Sequence, residues 1–449
     1  MRVVAACAAV LSLERDCVTV GGQADRVAVR RYAQAMGNAS GQLFIAEMHD
    51  EFGTWMLGYT PYGGGDHGDV AAVAAAVGDG DDGAFYDAWV TAGDRAVAEA
   101  EAAASAGHRS SAEDLYLRAS AFYASAYHPL YGAPVDPRLL HAYRAQMQAF
   151  DRGMALRDVP VPRDEVILAD PEHGAVRMPV YLIPAPGHET AVRPLLILVN
   201  GYDATITDVF FASAVAALRR GYHCLLFDGP GQGGVLYEQG VPLRPDWEVV
   251  VSALIDHALC SPLVDPDRIA VSGWSLGGYL APRAASGDPR IAACIADPGQ
   301  WDLGENMRDF VHRFGATSEE AADPRLISDA LLERITAAVR ANPKLTWAIL
   351  QRGFWANGVS DMRGFLEKTA QFTLRDRIVD IRCPVLLTRA ENDPLAAGVE
   401  RFAAALSAPA TVVDFSAAEG AGEHCEMMNR SLLNRRVLDW LDDILESRR

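Results

Sequence analysis

With 449 residues, a formal net charge of −19, half its residues hydrophobic and 22% charged, the chain has a globular composition and length for two domains or one with large insertions. The acidic excess, with no basic cluster to offset it, excludes nucleic acid and anionic lipid as partners, and no apolar run approaches the roughly 18–20 residues of a membrane span. Seven cysteines without paired C-x-x-C spacing read as reduced thiols in a cytoplasmic protein with no metal site.

At the start, Met1-Arg2 and the apolar Val3 to Leu11 have the outline of a signal peptide. Glu14, Arg15 and Asp16 then stand where a cleavage site would be, so a cytoplasmic location is expected. From about Gln42 to Leu156 apolar residues recur at helical spacing, as in Phe85, Trp89, Ala92, Val97 and Leu115, Leu117, Phe122, Tyr123. Gly63-Gly64-Gly65 and the acidic stretch Gly78 to Gly83 break this half into helices, and a further helix is predicted to open near Leu139, after Pro134 and Pro137. These features predict an N-terminal helical, cap-like domain over 1–158.

At about Val159 the pattern changes to short β-branched runs. Strands are predicted at Glu165 to Leu168, Val176 to Ile183, Leu195 to Asn200, His223 to Asp228, Arg268 to Ser272, Ile291 to Ala296, Pro384 to Thr388 and Thr411 to Phe415. Helical stretches separate most of the later ones, which predicts an α/β domain over 159–449, its sheet largely parallel with helices on both faces. The stretch from about 301 to 382 carries no strand signal, and its apolar spacing (Leu331, Ile335, Val339, then Trp347, Leu350) predicts helices inserted over the strand ends.

The strongest chemical signal follows Arg268-Ile-Ala-Val-Ser, where an apolar strand runs into Gly273-Trp274-Ser275-Leu276-Gly277-Gly278 and then an apolar helix. Glycines at these positions permit a turn so tight that Cβ atoms would collide, with Ser275 at a helix N-terminus where developing negative charge is favoured. A serine nucleophile needs a base, and that base an acid to orient it. Asp393 closes the strand after Pro384 and is preferred to its neighbour Glu391 because Asp393-Pro394 fixes the turn. His424, in the glycine-rich Gly420 to Glu426 loop before the terminal helix, is the candidate base, with His312 its one rival. Backbone N–H groups of Leu276 and Tyr202 are the candidate oxyanion donors, the second from the loop after Leu195 to Asn200. Phe227-Asp-Gly-Pro-Gly-Gln-Gly233 lacks the lysine and spacing of a phosphate loop and reads as a tight strand-to-helix connection. Aromatic residues Trp274, Trp301, Phe354 and Trp355 are candidates for lining a substrate pocket, or for core.

Asn200-Gly-Tyr-Asp203, Phe227 to Gly233, Gly273 to Gly277 and Gly420 to Cys425, behind a helical N-terminal half, together resemble one branch of the α/β-hydrolases. It is the branch of 2,6-dihydroxypseudooxynicotine hydrolase, the fungal polyketide chain-shortening hydrolases and the fermentation-respiration switch protein. The resemblance implies an α/β-hydrolase fold, no cofactor, a homodimer, and cleavage of carbon–carbon bonds next to ketones in aromatic or polyketide-type small molecules. Members of the branch carry an acid in the loop corresponding to Asp203. A carboxylate beside an oxyanion donor needs a reason: an auxiliary acid that protonates a carbon leaving group, or a cap, with Thr205 the alternative, for a helix beginning near Thr207. Resemblance does not distinguish a carbon–carbon hydrolase from a broad esterase, an acyltransferase, an acyl-eliminating enzyme or a catalytically silent binding protein. Residues 1–40 and the Glu426-Met-Met-Asn stretch match no family pattern.

Overall fold

The computed structural model describes residues 42–446; the leader-like N-terminal stretch, with Cys7 and Cys17, lies outside them. The N-terminal half is helical: α1 (Glu47–Gly53), α2 (His67–Val77), α3 (Asp82–Ser105), α4 (Arg109–Ala126) and α5 (Pro137–Ala155). Local chemistry sets their starts. The Asp81 carboxylate accepts from the Gly83 and Ala84 N–H groups at the head of α3. Asp136 caps α5 and Pro137 is its first residue, two positions before the predicted start, because proline is pre-organised for a first helical turn and loses no hydrogen bond there. Along α5, Leu139, Ala142, Tyr143, Gln146, Met147, Phe150 and Met154 are buried, the stripe of a helix packed on a core.

All eight predicted strands form: β1 (Asp164–Asp170), β2 (Gly174–Ile183), β3 (Arg193–Val199), β4 (His223–Phe227), β5 (Val264–Trp274), β6 (Ile291–Asp297), β7 (Val385–Ala390) and β8 (Ala410–Phe415). They make one sheet in the order β1-β2-β4-β3-β5-β6-β7-β8. β1 and β2 form an antiparallel edge, β2 runs antiparallel to β4, and every other pair is parallel. β4 and β6 are buried throughout, as parallel strands covered on both faces must be. The chain leaves β3 toward β4 on one side and returns to β5 on the other, so β3 and β5 are neighbours across a topological switch point, where ligands bind beyond the strand ends.

Helices α6 (Trp247–Ala258) and α7 (Gly277–Gly287) flank β5 in sequence. The insertion after β6 holds α8 (Leu303–Arg313), α9 (Asp329–Arg340), a π-helical turn over Thr346–Gly353 and α10 (Met362–Thr369). Its neck is pinned by an antiparallel bridge between Asp302 and Thr373, with the Leu303 N–H donating to the Phe372 carbonyl and the Leu374 N–H to that of Trp301. The last helix, α11 (Arg430–Glu446), closes the described chain. No described helix is long and apolar enough to cross a membrane, and the five described cysteines are free thiols.

Candidate active site

At the end of β5 the backbone turns so sharply that Ser275 takes φ +57°, a conformation costly for a non-glycine residue and held only by its surroundings. A Cβ at Gly273 would lie 2.0 Å from the Gly277 carbonyl oxygen, so glycine is required there. The Ser275 hydroxyl lies 3.1 Å from His424 Nε2, and His424 Nδ1 lies 2.6 Å from Asp393 Oδ2. The other Asp393 oxygen accepts from the Leu395 N–H at 2.9 Å, which fixes the carboxylate, while the carboxylate favours the tautomer with its proton on Nδ1. All three residues are buried. Glu391 is turned to the Ala417 N–H on the surface, and His312 is bonded to the Ala316 carbonyl at the end of α8, so neither joins this group.

The loop after β3 passes over the serine at van der Waals distance: a Cβ on Gly201 would sit 2.7 Å from that of Ser275. Gln232 braces it, its amide donating to the carbonyls of Asn200 at 2.8 Å and Gly201 at 3.0 Å. This accounts for the Phe227 to Gly233 motif as a strut for the loop. Next to it, Asp228 accepts from the Asn200 amide and the Ile206 N–H, and burial, with a smaller contribution from Asp208, pushes its carboxyl up to about 8. Leu276 stands at the N-terminus of α7, where backbone N–H groups have no intrahelical acceptor.

Three neighbours, Cys425, Glu426 and Gln300, were not among the expected site residues. The Cys425 thiol lies 3.2 Å from the Ser275 N–H and 3.4 Å from His424 Nε2, and burial holds it well above the ordinary thiol range, so it packs as a neutral group. Cys425 and Glu426 both have positive φ, +53° and +47°. Burial and the charge of Asp297 push the Glu426 carboxyl well up, while Arg430 bonds Asp297 and the Cys425 carbonyl. Gln300, after β6, donates to the Ser275 carbonyl at 2.5 Å.

Of the two capping candidates, the structure uses Thr205. Thr205, with Asp208 as its reciprocal partner, caps the helix that begins at Ile206, so Asp203 is not the cap. Both its carboxylate oxygens accept from Arg352 Nη1, at 2.7 and 2.9 Å, with both residues buried. That arrangement sets its carboxylate against a buried guanidinium.

A small cavity of ≈ 40 Å³ lies between the loop after β3 and the insertion; Tyr202, Gln300, Met307, Arg352, Phe365 and Leu395 are among its walls, and Gln300 is the residue that bonds the Ser275 carbonyl. None of the four aromatics expected there lines it. Trp274 lies between the sheet and α11 under the Arg430 guanidinium, Trp301 lies beneath Arg375 at the neck, Phe354 packs on Phe365, and Trp355 stacks on Tyr237. Their spacing reported apolar character without its direction. The walls come instead from the β3 loop, α8 and the π-helical turn, where the wider winding places Ala348, Arg352 and Gly353 on the cavity, as π-helical turns at functional sites often do.

Fold and site together describe an enzyme of the hydrolase class, and the comparisons give the family. The model of the alpha/beta hydrolase family matches residues 196–433. Hydrolase LUC6 of a Fusarium species is 32% identical over 416 residues, 88% of this chain and 96% of its own length. The 20-hydroxy-prefusarin hydrolase FUS2 of Gibberella moniliformis is 35% identical over 345 residues, 75% of this chain and 80% of its own. Among solved structures, 2,6-dihydroxy-pseudo-oxynicotine hydrolase superposes with a TM-score of 0.61 at 22% identity, covering 86% of this chain and 95% of that one. The chain belongs to the α/β-hydrolase family and shares its fold.

Proposed function

We propose that the protein is a serine hydrolase that works through an acyl-enzyme, cleaving a carbon–carbon bond next to a ketone, or an ester, in a polyketide-type small molecule. The observation that carries this reading is the buried chain of hydrogen bonds from Ser275 through His424 to Asp393. In it, His424 takes the Ser275 proton as Oγ attacks a carbonyl carbon, and Asp393 steadies the imidazolium. The Tyr202 and Leu276 N–H groups receive the oxyanion, a contribution worth about 10²–10³-fold per donor in comparable sites. Protonated His424 then gives its proton to the leaving group, and water, activated by the same histidine, releases the acid. No cofactor enters the scheme. The substrate class rests on the relatives, one of which is a 20-hydroxy-prefusarin hydrolase.

Ser275→Ala tests the reading directly: turnover of nitrophenyl acetate should fall by about 10⁴-fold or more with an unchanged circular dichroism spectrum. Full activity in that variant would overturn it. The family resemblance carries the expectation of a homodimer, which sedimentation at micromolar concentration distinguishes from a monomer, and the cysteine pattern carries that of a cytoplasmic location.

A further inference from the structure

The mechanism above leaves one charged wall of the cavity unused. Arg352 is 3% exposed, and its guanidinium lies against the rings of Tyr202, centroid 4.6 Å away, and Trp347 at 5.0 Å. Asp203 takes two N–H bonds from Nη1. Nε and Nη2 both reach only the Ala348 carbonyl at 3.4 Å, long for a hydrogen bond. A guanidinium has five N–H groups, so one N–H of Nη2 has no acceptor among the described residues, on a side chain that borders the cavity next to the oxyanion loop. Leu303, Met307, Ala348, Phe365 and Leu395 supply apolar lining, Asn306, Thr369 and Gln300 neutral polar groups, and Arg352 is the one charged residue among them. A buried guanidinium with a spare donor, the one charge on the cavity lining, selects an acceptor oxygen that carries negative charge.

We infer that Arg352 binds the second oxygen of a 1,3-dicarbonyl substrate, one carbonyl being attacked by Ser275 and the other held by Nη2. This rests on the proposed acyl-enzyme reading and deepens it. Ser275 Oγ adds to the first carbonyl carbon; collapse of that adduct breaks the bond to the carbon between the carbonyls. The bonding pair moves onto the second carbonyl oxygen as an enolate, facing Arg352, and His424 returns its proton to the central carbon. The fragments are an acyl-enzyme, hydrolysed by water, and a neutral ketone. Asp203 is then a positioning residue that fixes the guanidinium, and the leaving group departs as a stabilised enolate without an auxiliary acid.

Attack on the acetyl carbonyl of benzoylacetone, read from release of acetophenone, gives the same acetyl-enzyme as nitrophenyl acetate, so for that product their comparison isolates departure of the leaving group. Arg352→Gln should lower kcat/KM for benzoylacetone about 10²-fold more than for nitrophenyl acetate, the scale of one oxyanion donor; equal losses on both would overturn the inference. Because removing one partner of a buried ion pair can unfold the chain, the wild-type protein is tested in parallel. A cyclic 1,3-dione, enolised at neutral pH, should inhibit nitrophenyl acetate hydrolysis competitively and at least about 10-fold more tightly than the matched monoketone, a modest share of a charge-assisted hydrogen bond. Equal inhibition by dione and monoketone would also overturn it. In the double variant Asp203→Asn/Arg352→Gln, which leaves no orphaned charge, the preference for the dione should disappear, and its persistence would count against Arg352. Wild-type nitrophenyl acetate turnover that Ser275→Ala leaves undiminished is a separate outcome that overturns the acyl-enzyme reading itself.

Discussion

Ser275, Asp393 and His424 stood out in the sequence because each sits beside a local feature: a glycine-bounded turn, a strand-ending Asp-Pro and a glycine-rich loop. Arg352 did not, because its partner Asp203 is 149 positions away and an arginine in a helical pattern reads as solvated surface. Nor did Asp228 stand out, a carboxyl inside a glycine-rich connection, and it makes a test by pH. Its folded value, raised by burial to about 8, lies above the ordinary carboxylate value of about 3.9. Its contribution is therefore fully present below about pH 4 and is lost as pH rises through about 8. His128, which burial pushes down to about 4, slopes the other way, with stability lost as pH falls from about 6.5 toward 4. Comparison with Asp228→Asn cancels the histidine. Between pH 4 and 8 the wild type should lose stability relative to that variant by on the order of several kcal/mol, read from urea unfolding at each pH. A constant difference would mean that Asp228 is ionised in the folded protein.

Every strand was legible at the level of elements, because apolar β-branched runs of this length between turn residues have few alternatives. The contacts that hold the loop after β3 were not, because they come from elements far away in sequence. Gln146 of α5 donates to Thr205 and Thr207 and accepts from Tyr127, all buried, and the Tyr131 hydroxyl donates to the Asp203 carbonyl. An amide buried within a helical stripe is invisible to periodicity, which reports polarity without partners. Replacing it should expose its value: Gln146→Leu leaves three buried hydroxyl groups without that amide, so unfolding should become easier by about 1–3 kcal/mol, with a parallel fall in nitrophenyl acetate turnover. A stability change under about 0.5 kcal/mol, the range of ordinary surface substitutions, would show that the network does not brace the loop.

Across the whole molecule the helical half and the α/β half are joined by such contacts. Tyr59 bonds Asp208, and Trp347 of the insertion bonds the His128 carbonyl. A Cβ on Gly58 would lie 2.4 Å from the Met427 carbonyl oxygen, three residues after His424. We therefore propose that the N-terminal half is a cap that supports the site, and that a chain beginning at Val159 will be unstable or inactive; a stable, fully active one would contradict this. The central claim, that Ser275 is a nucleophile activated by His424, is tested most directly by fluorophosphonate labelling followed by peptide mass spectrometry. The account predicts one adduct, on Ser275, lost in His424→Ala; an adduct on another residue, or undiminished labelling of Ser275 in that variant, would contradict it.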